Sequence, residues 1–286
     1  MKSNKGILIP IGGNEDKGIE ADEMYTLDFV TEGILYRIVE LSGGIDAKIV
    51  VIPTASSIPV EIGDNYLEAF GTIGCTNVEI LDIRSQKDSE SSRAIDLISK
   101  ANCVMFSGGN QSKITEHIGG SSIHKILKER YKNESDFVIA GTSAGAMAMA
   151  NNMIAGGSAV DSFVKGAVKM KKGLSLVPQL TIDTHFIKRG RFGRLAEAVA
   201  RYPERIGIGL AEDTGLVIQK NECEVIGSGM VIVFDPRKLK HNNSSILSEG
   251  TPMSLTNLKT HVLANGDRFN IKKKTVKVLP VTEPFV

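Results

Sequence analysis

The sequence predicts an α/β fold. It is expected to be a three-layer sandwich with a mostly parallel sheet, helices on both faces and an antiparallel C-terminal extension. Two observations support this prediction. Short apolar runs rich in β-branched residues alternate with amphipathic stretches over about the first two hundred residues, and the texture then changes to short strands with tight turns. Because no linker, internal repeat or low-complexity tract interrupts the chain, we expect one domain over residues 1–286, with 207–286 as a β-rich extension of the same sheet.

The first half of the chain carries the alternation of strands and helices. Apolar residues at three- and four-residue steps predict a helix over Met24–Leu41, after a first strand over Gly6–Ile11. The next predicted elements are a strand over Lys48–Ile52, a helix over Asn65–Ile73, a strand over Val78–Leu81, a helix over Ser92–Ser99, a strand over Cys103–Phe106, two helices of which the second lies near Ile123–Tyr131, and a strand over Phe137–Ala140.

The second half begins with a predicted helix over Ala144–Met153 and a strand over Leu180–His185, followed by a helix over Phe192–Arg201. Helical patterning is then lost, and residues 235–254 are polar and loop-like. The remaining predicted strands are Gly207–Leu210, Gly215–Ile218, Glu224–Ile226, Val231–Phe234 and one near Lys274–Val278.

Composition narrows the class of protein. With 42% hydrophobic and 23% charged residues and a net charge of +1, the chain resembles a soluble globular protein with no global attraction to nucleic acid or membrane. The basic runs at 169–172 and 272–274 are expected to be solvated. Three cysteines far apart, without a C-x-x-C pair, indicate neither a disulfide framework nor a zinc site, and we expect no metal. The N-terminal apolar run is too short for a signal peptide, so a cytoplasmic location is expected.

Residues 137–146 contain the most informative motif. The segment Gly141-Thr-Ser-Ala-Gly145 is G-x-S-x-G, placed after a predicted strand and before a predicted helix. A strand that turns sharply into a helix needs glycine on both sides of a strained residue, and the turn exposes the hydroxyl of Ser143. Ser143 is therefore a candidate nucleophile, although an ordinary glycine-rich turn also fits the bare motif.

A serine nucleophile needs a base to accept its proton. His185 closes the apolar run that begins at Leu180, which places it at the carboxyl end of a predicted strand. The other four histidines lie at a helix connection, in a polar loop or at the start of a C-terminal strand. We therefore predict that His185 lies at the same sheet edge as Ser143 and acts as the base.

The base needs an acceptor that orients it. The predicted strand over Gly207–Leu210 is followed by two acids, Glu212 and Asp213, and either could accept the imidazole N–H. Because Asp213-Thr-Gly215 has the composition of a turn, the pattern favours Glu212 as the catalytic acid and Asp213 as a turn residue.

Three arginines, Arg189, Arg191 and Arg194, crowd the start of the helix predicted over Phe192–Arg201. Basic side chains at a helix N-terminus oppose the helix dipole, so an anionic partner is expected. Arginine binds carboxylates with two parallel hydrogen bonds, which favours a substrate carboxylate over a merely solvated basic helix start.

An oxyanion hole is the remaining requirement for acyl transfer. The amide of Ala144 is one expected donor because it opens the predicted helix. Gly108 and Gly109 follow another predicted strand, and glycine there allows the backbone to approach a substrate closely. Cys103 lies inside an apolar strand and is expected to be packing, not a nucleophile.

The order of the candidate residues is serine, histidine, acid, whereas an α/β-hydrolase has serine, acid, histidine. The segments 106–111, 141–146, 183–195 and 207–214 together resemble the cyanophycinase family, a group of serine peptidases that includes aspartyl dipeptidases. The resemblance spans about residues 5–235 and implies a class I glutamine amidotransferase-like fold.

The resemblance implies hydrolysis of cyanophycin, a poly-aspartate backbone carrying arginine on each side-chain carboxyl, to β-aspartyl-arginine dipeptides, without a cofactor and as a homodimer. It assigns the catalytic roles to Ser143, His185 and Glu212. It assigns substrate binding to Gln111, Asp183, Thr184, Arg189, Arg191 and Arg194. Thr184 stands where well-known members have a glutamine before the histidine, so the shape of the specificity pocket is expected to differ from theirs. Glu15, Asp16 or Asp183 is expected to meet the substrate guanidinium.

Two other functions fit parts of the pattern. A dipeptidase that trims N-terminal aspartyl dipeptides would use the same three catalytic residues. A nonenzymatic nucleotide-binding domain would use the glycine-rich loops, but neither G-x-G-x-x-G after the first strand nor G-x-x-x-x-G-K-[ST] occurs. The sequence therefore favours a peptidase that cleaves cyanophycin and leaves the aspartyl dipeptidase as its alternative.

Overall fold

The computed structural model describes residues 4–19, 25–157 and 162–279. The strands are β1 Ile7–Ile11, β2 Ile49–Ile52, β3 Val78–Ile80, β4 Cys103–Phe106, β5 Val138–Thr142, β6 Asn152–Gly156, β7 Lys169–Lys172, β8 Leu180–Asp183, β9 Ile206–Leu210, β10 Thr214–Gln219, β11 Glu222–Gly227, β12 Val231–Asp235, β13 His241–Asn242, β14 Leu255–Thr256, β15 Lys259–Leu263, β16 Arg268–Asn270 and β17 Val276–Lys277. The α-helices are α1 Ile34–Leu41, α2 Pro59–Ile73, α3 Ser92–Lys100, α4 Gln111–Ile118, α5 Ser122–Asn133, α6 Ala144–Ala148 and α7 Phe192–Arg201.

The larger sheet has nine strands in the order β17-β16-β11-β10-β1-β5-β4-β2-β3. Strands β1, β5, β4, β2 and β3 are parallel, and β10, β11, β16 and β17 continue the sheet beyond β1 in antiparallel pairs. The predicted α/β fold with a parallel central region is therefore confirmed. The parallel strands read as continuous apolar runs because both of their faces are covered.

Side chains of the parallel strands alternate between two apolar cores. In β2, Ile49 and Val51 point into the core built with α1 and α2, whereas Val50 and Ile52 point into the core on the other face. The second core includes side chains of α3, α4, α5 and α6. Helices thus cover both faces, as the sequence predicts. No helix within the described ranges has the length and hydropathy needed to cross a bilayer.

A second sheet of four strands, in the order β15-β12-β9-β8, packs over the core that contains α3 to α6. The prediction that all strands after residue 207 extend one sheet is wrong in this respect, because β9, β12 and β15 belong to the second sheet. The reason is that β9 pairs in parallel with β8, and α7 crosses over between them on the outer face. Strands β6 and β7, which the sequence analysis does not predict, form a hairpin of their own.

The first helix is shorter than predicted. Residues 25–33 are not helical and include a turn over 29–32, so α1 begins only at Ile34, while Met24 lies outside the described residues. The carboxylate of Asp28 accepts hydrogen bonds from the amides of Val30 and Thr31 at 3.1 and 2.9 Å. This local bonding competes with helix formation.

The helix after Ser143 is also shorter than predicted, because α6 ends at Ala148 and Asn152 already lies in β6. The carbonyls at the end of this helix accept hydrogen bonds from residues 174–177 instead of continuing the helix. Leu174 donates to Ala148 at 2.8 Å and Leu176 donates to Met149 at 2.9 Å. A tertiary contact therefore ends the helix where the apolar pattern continues.

Candidate active site

Ser143 occupies a strained turn between β5 and α6. Its backbone has φ 48° and ψ −104°, a conformation that L-residues rarely adopt. Its amide donates to the carbonyl of Ile11 at 2.9 Å. A Cβ atom at Gly141 would lie 2.8 Å from the backbone of Gly145, and one at Gly145 would lie 2.6 Å from the carbonyl of Phe106. Only glycine on both sides of the serine permits this turn.

His185 follows β8 and brings Nε2 to 3.0 Å from Oγ of Ser143. Its amide donates to the carbonyl of Gly12 at 2.8 Å. The expectation that the two residues share one sheet edge is wrong, because β8 belongs to the second sheet. The side chains meet because the strand ends of the two sheets face the same loop after β1.

Glu212 follows β9 and accepts a hydrogen bond from Nδ1 of His185 at 2.6 Å from Oε1. Its other oxygen lies 3.0 Å from Nζ of Lys188 in an ion pair. The geometry brings together a hydroxyl, an imidazole and a carboxylate in one hydrogen-bonded chain. Such a chain lets the imidazole accept the hydroxyl proton while the carboxylate stabilises the resulting positive charge.

Electrostatics around His185 favour the neutral imidazole. Burial lowers the pKa of His185, the hydrogen bond to Glu212 opposes this, and the charges of Arg189 and Arg191 lower the pKa further. The balance lies below the usual value, so the ring is neutral at pH 7 and can accept a proton. For Glu212, burial works to raise the pKa, but the hydrogen bonds from His185 and Lys188 outweigh it. The carboxylate is therefore ionised.

The glycines of β9 allow α7 and the segment around His185 to lie close to this strand. Ile206, Ile208 and Leu210 face the inner core, whereas Gly207 and Gly209 face outward. A Cβ at Gly207 would lie 2.6 Å from Val199 of α7, and one at Gly209 would lie 2.5 Å from the ring of Phe186, the residue after His185. The absence of side chains on this face lets α7 and the His185 segment pack closely on β9.

The loop after β1 joins all three segments. Besides the bonds from Ser143 and His185, the carbonyl of Gly13 accepts from the amide of Asp213 at 3.0 Å. The sequence predicts a role for Glu15 and Asp16 of this loop but not for its carbonyls, because backbone carbonyls leave no residue signature. The adjacent glycines 12 and 13 were the available signal, since a Cβ at Gly12 would lie only 1.7 Å from the carbonyl oxygen of Ala211.

Of the predicted oxyanion donors, Gly108 and Ala144 lie beside Ser143. A Cβ at Gly108 would lie 3.6 Å from Cβ of Ser143, so this backbone lies beside the nucleophile. Gly109 has φ +133° and packs against the carbonyl of Ala55, where a Cβ would come within 2.1 Å. Ala144 opens α6, and an amide in a first helical turn has no acceptor within its own helix.

Comparison with known proteins gives the family. A family model described as peptidase family S51 matches residues 30–226. The chain is 36% identical over 276 residues to a protein named cyanophycinase from Trichormus variabilis, covering 96% of this chain and 89% of the relative. It is 36% identical over 266 residues to a cyanophycinase from Geminocystis herdmanii, with 93% of each chain covered.

The chain belongs to peptidase family S51. It is accordingly a serine peptidase. The crystal structure of a peptidase from an acI-B1 Actinobacterium superposes with a TM-score of 0.60 over 91% of this chain and 98% of the other, at 18% identity, and so has the same fold.

The arginines of this S51 peptidase differ in their surroundings. Asp183 is fully buried and binds Arg194, with Nε of Arg194 at 2.8 Å from Oδ2, and it pairs with Arg191 at 3.2 Å. Arg189 is exposed, and in the described part of the chain no hydrogen bond or ion pair engages its guanidinium. Arg189 thus presents its charge to solvent beside His185, while Arg194 and Asp183 bind each other.

The remaining predicted substrate-binding side chains are buried. The amide nitrogen of Gln111 donates to the carbonyl of Ile154 at 2.7 Å, which joins the start of α4 to β6. Thr184 is fully buried, and its carbonyl accepts from Nη1 of Arg191 at 2.7 Å. Of the acids considered for a guanidinium, Glu15 is 2% exposed and bonded within the protein, and only Asp16 is partly exposed.

Two further expectations concern cysteine and metal. Cys103 is completely buried, and burial raises the pKa of its thiol to about 12, so this side chain is packing material. Among the residues that the structure describes, no group of three or more His, Cys, Asp or Glu side chains is arranged to hold a metal ion.

Proposed function

We propose that this S51 peptidase hydrolyses cyanophycin from a chain end to β-aspartyl-arginine dipeptides, with Ser143 as nucleophile, His185 as base and Glu212 as the orienting acid. The proposal rests above all on the hydrogen-bonded chain from Oγ of Ser143 to Oε1 of Glu212. We infer the substrate from the cyanophycinases, to which the chain is similar over nearly its whole length.

In the first half of the reaction, Oγ of Ser143 attacks the backbone carbonyl carbon of an aspartyl residue while its proton moves to Nε2 of His185. The carbonyl oxygen becomes an oxyanion, which the amides of Ala144 and of Gly108 or Gly109 stabilise. The carbon–nitrogen bond then breaks, and the proton on His185 passes to the leaving amine.

In the second half, water attacks the acyl ester and gives a proton to His185. The bond between the carbonyl carbon and Oγ breaks, and the proton returns to Oγ of Ser143. Glu212 remains ionised throughout and stabilises the imidazolium each time it forms.

Substrate binding is assigned to the arginine-rich turn before α7. Each cyanophycin unit carries a free carboxylate on its arginine, and the exposed guanidinium of Arg189 provides the complementary charge next to His185. Arg191 and Arg194 support this turn through Asp183. Asp16, on the loop after β1, is partly exposed, and its amide donates to Oδ1 of Asp213, the neighbour of Glu212, so it is assigned to the substrate guanidinium.

The test is incubation of the purified protein with insoluble cyanophycin, with Ser143→Ala as the control and mass spectrometry of the products. Release of β-aspartyl-arginine by the unmodified protein alone supports the proposal. Release by Ser143→Ala as well would place the nucleophile elsewhere. Cleavage of short α-aspartyl peptides without cleavage of cyanophycin would instead assign the chain to the aspartyl dipeptidases.

A homodimer, which the family resemblance implies, and a cytoplasmic location, which the N-terminal sequence suggests, remain predictions. Sedimentation equilibrium of the purified protein measures the first directly. A mass equal to one chain at micromolar concentration would contradict the homodimer and leave the proposed reaction untouched.

A further inference from the structure

The loop after β1 carries a buried carboxylate that the proposed mechanism does not use. Glu15 is 2% exposed, and its two oxygens are fully engaged. Oε1 accepts from the hydroxyl of Tyr66 at 2.6 Å and pairs with Nζ of Lys17 at 2.9 Å. Oε2 accepts a short hydrogen bond from the hydroxyl of Thr142. A buried carboxylate is costly unless it is satisfied in this way, so its presence requires a reason.

Thr142 is the residue immediately before the nucleophile. It pairs with Ile11 in the register of β1 and β5, and the next amide, that of Ser143, donates to the carbonyl of Ile11. The bond from Glu15 therefore joins the side chain that precedes the nucleophile to the loop that follows Ile11. The nucleophile turn is fixed both through its backbone and through the Thr142 hydroxyl.

The same loop holds the other two catalytic segments. The carbonyls of Gly12 and Gly13 accept from His185 and Asp213, and the amide of Asp16 donates to Oδ1 of Asp213 at 3.1 Å. In the sequence, Glu15 lies between Gly13 and Asp16, the residues that make these contacts with Asp213. Whatever fixes Glu15 thus also fixes the relative positions of Ser143, His185 and the residue after Glu212.

The charge of Glu15 is suited to this role. A carboxylate is an acceptor at both oxygens, so it satisfies the Tyr66 hydroxyl, the Lys17 ammonium and the Thr142 hydroxyl at once. Burial works to raise the pKa of Glu15, but Lys17, Thr142 and Tyr66 together hold it below the usual value. A glutamine has one oxygen acceptor and no charge, so it cannot accept from all three of these donors at once.

We propose that Glu15 is a positioning residue for the hydrolysis: its buried carboxylate fixes the Thr142 hydroxyl and the loop after β1, and so sets the approach of His185 to Ser143. The inference rests on the proposed function in its choice of nucleophile and base. It does not depend on which substrate the peptidase cleaves.

The test uses Thr142→Val, which removes the hydroxyl at nearly constant shape, together with Glu15→Gln. Two readouts are measured: kcat and KM on a short soluble oligomer of β-aspartyl-arginine, and the rate at which a small fluorophosphonate labels Ser143. Because misplacement of reacting groups by an ångström costs up to about a hundredfold, we expect both variants to lower kcat and the labelling rate about tenfold or more, with KM little changed.

Two further variants separate positioning from stability. Thr142→Ser keeps the hydroxyl and is expected to restore both rates. Asp235→Asn is the matched control, since Asp235 is 1% exposed, binds Arg237, and lies near Gly207 at the end of β9 opposite to Glu212. It is expected to lower the melting temperature without changing either rate of the folded protein.

Wild-type rates in folded Thr142→Val and Glu15→Gln would overturn the proposal. So would losses that match their unfolded fractions, as measured by circular dichroism. If Glu15→Gln does not fold, Thr142→Val decides. If Ser143→Ala still cleaves the oligomer, the proposed function fails instead. If the wild-type protein leaves the oligomer intact, the labelling rate of Ser143 still measures the effect of Glu15.

Discussion

Gly13 lies directly against the imidazole of His185. A Cβ atom at Gly13 would come within 2.5 Å of Cε1 and 2.6 Å of Nε2, and real Cβ contacts are essentially never this short. The backbone of Gly13 also has φ +102°, a conformation that favours glycine. The loop after β1 therefore positions His185 in two ways. Gly13 contacts the imidazole ring, and the carbonyl of Gly12 accepts a hydrogen bond from the His185 amide.

Gly13→Ala is expected to displace His185 from Ser143. The added methyl group occupies the place of the ring, so we expect kcat/KM to fall about a hundredfold. Gly43→Ala is the matched control, because Gly43 has φ +107° and a Cβ there would meet nothing within 4 Å. Steady-state kinetics of both variants separate the steric effect from backbone strain. Equal losses in the two would show that the contact with His185 has no role.

The acid limb of the pH profile reports the state of His185. Its pKa is lowered from 6.5, so the neutral base persists to lower pH and kcat/KM should remain on its plateau at pH 7. Arg189→Met removes a nearby positive charge that lowers this pKa, so the limb is expected to move to higher pH.

Lys132→Met is the charge control for that experiment, since Lys132 is exposed near the amino end of β1, at the edge opposite to Ser143. Its limb should coincide with that of the wild-type protein. A limb that stays in place in Arg189→Met would mean that Arg189 does not act on the base.

Glu212→Gln tests which acid orients the base. An amide in this position can hold His185 in the wrong tautomer and cannot stabilise the imidazolium, so kcat should fall roughly 10³- to 10⁴-fold. Asp213→Asn, a change in the neighbouring acid that the sequence left as the alternative, is the companion variant. A larger loss in Asp213→Asn than in Glu212→Gln would reverse the assignment.

Asp183→Asn is expected to destabilise the protein. Arg194 is 5% exposed, and without Asp183 its charge is buried and uncompensated, which costs about 3–5 kcal/mol of unfolding free energy. Asp96→Asn breaks an exposed pair with Lys100 and should cost less than about 1 kcal/mol. Urea denaturation measures both. Equal stabilities would remove Asp183 from its assigned support of the arginine-rich turn.

The parallel half of the fold was predictable because burial on both faces leaves continuous apolar runs, as in Cys103–Phe106, which the structure reproduces. The helix predicted from Met24 starts later in the structure because the carboxylate of Asp28 binds the amide of Thr31, and this local hydrogen bond competes with helix formation. The second sheet was not predictable, because nothing within Gly207–Leu210 specifies whether it pairs with β12 or with β10.

In the candidate site, too, some residues were predictable from the sequence and others were not. Ser143, His185 and Glu212 each lie just after the end of a strand, so the apolar pattern of that strand predicted their position, and the structure brings their polar atoms within hydrogen-bonding distance. Lys188 and the carbonyls of Gly12 and Gly13 were missed. The contacts of Gly12 and Gly13 with His185 and Asp213 depend on how the two sheets pack and join segments more than a hundred residues apart along the chain. The contact of Lys188 with Glu212 depends on the pairing of β8 with β9.

Ser143 comes from the larger sheet, whereas His185 and Glu212 both come from the strands on either side of α7. The site therefore exists only while the two sheets are docked. Partial loosening of the β8–α7–β9 unit would abolish hydrolysis while the larger sheet kept its hydrogen bonds. Loss of enzymatic activity should consequently precede loss of secondary structure as the protein is denatured, so activity alone would underestimate how much of the chain remains folded.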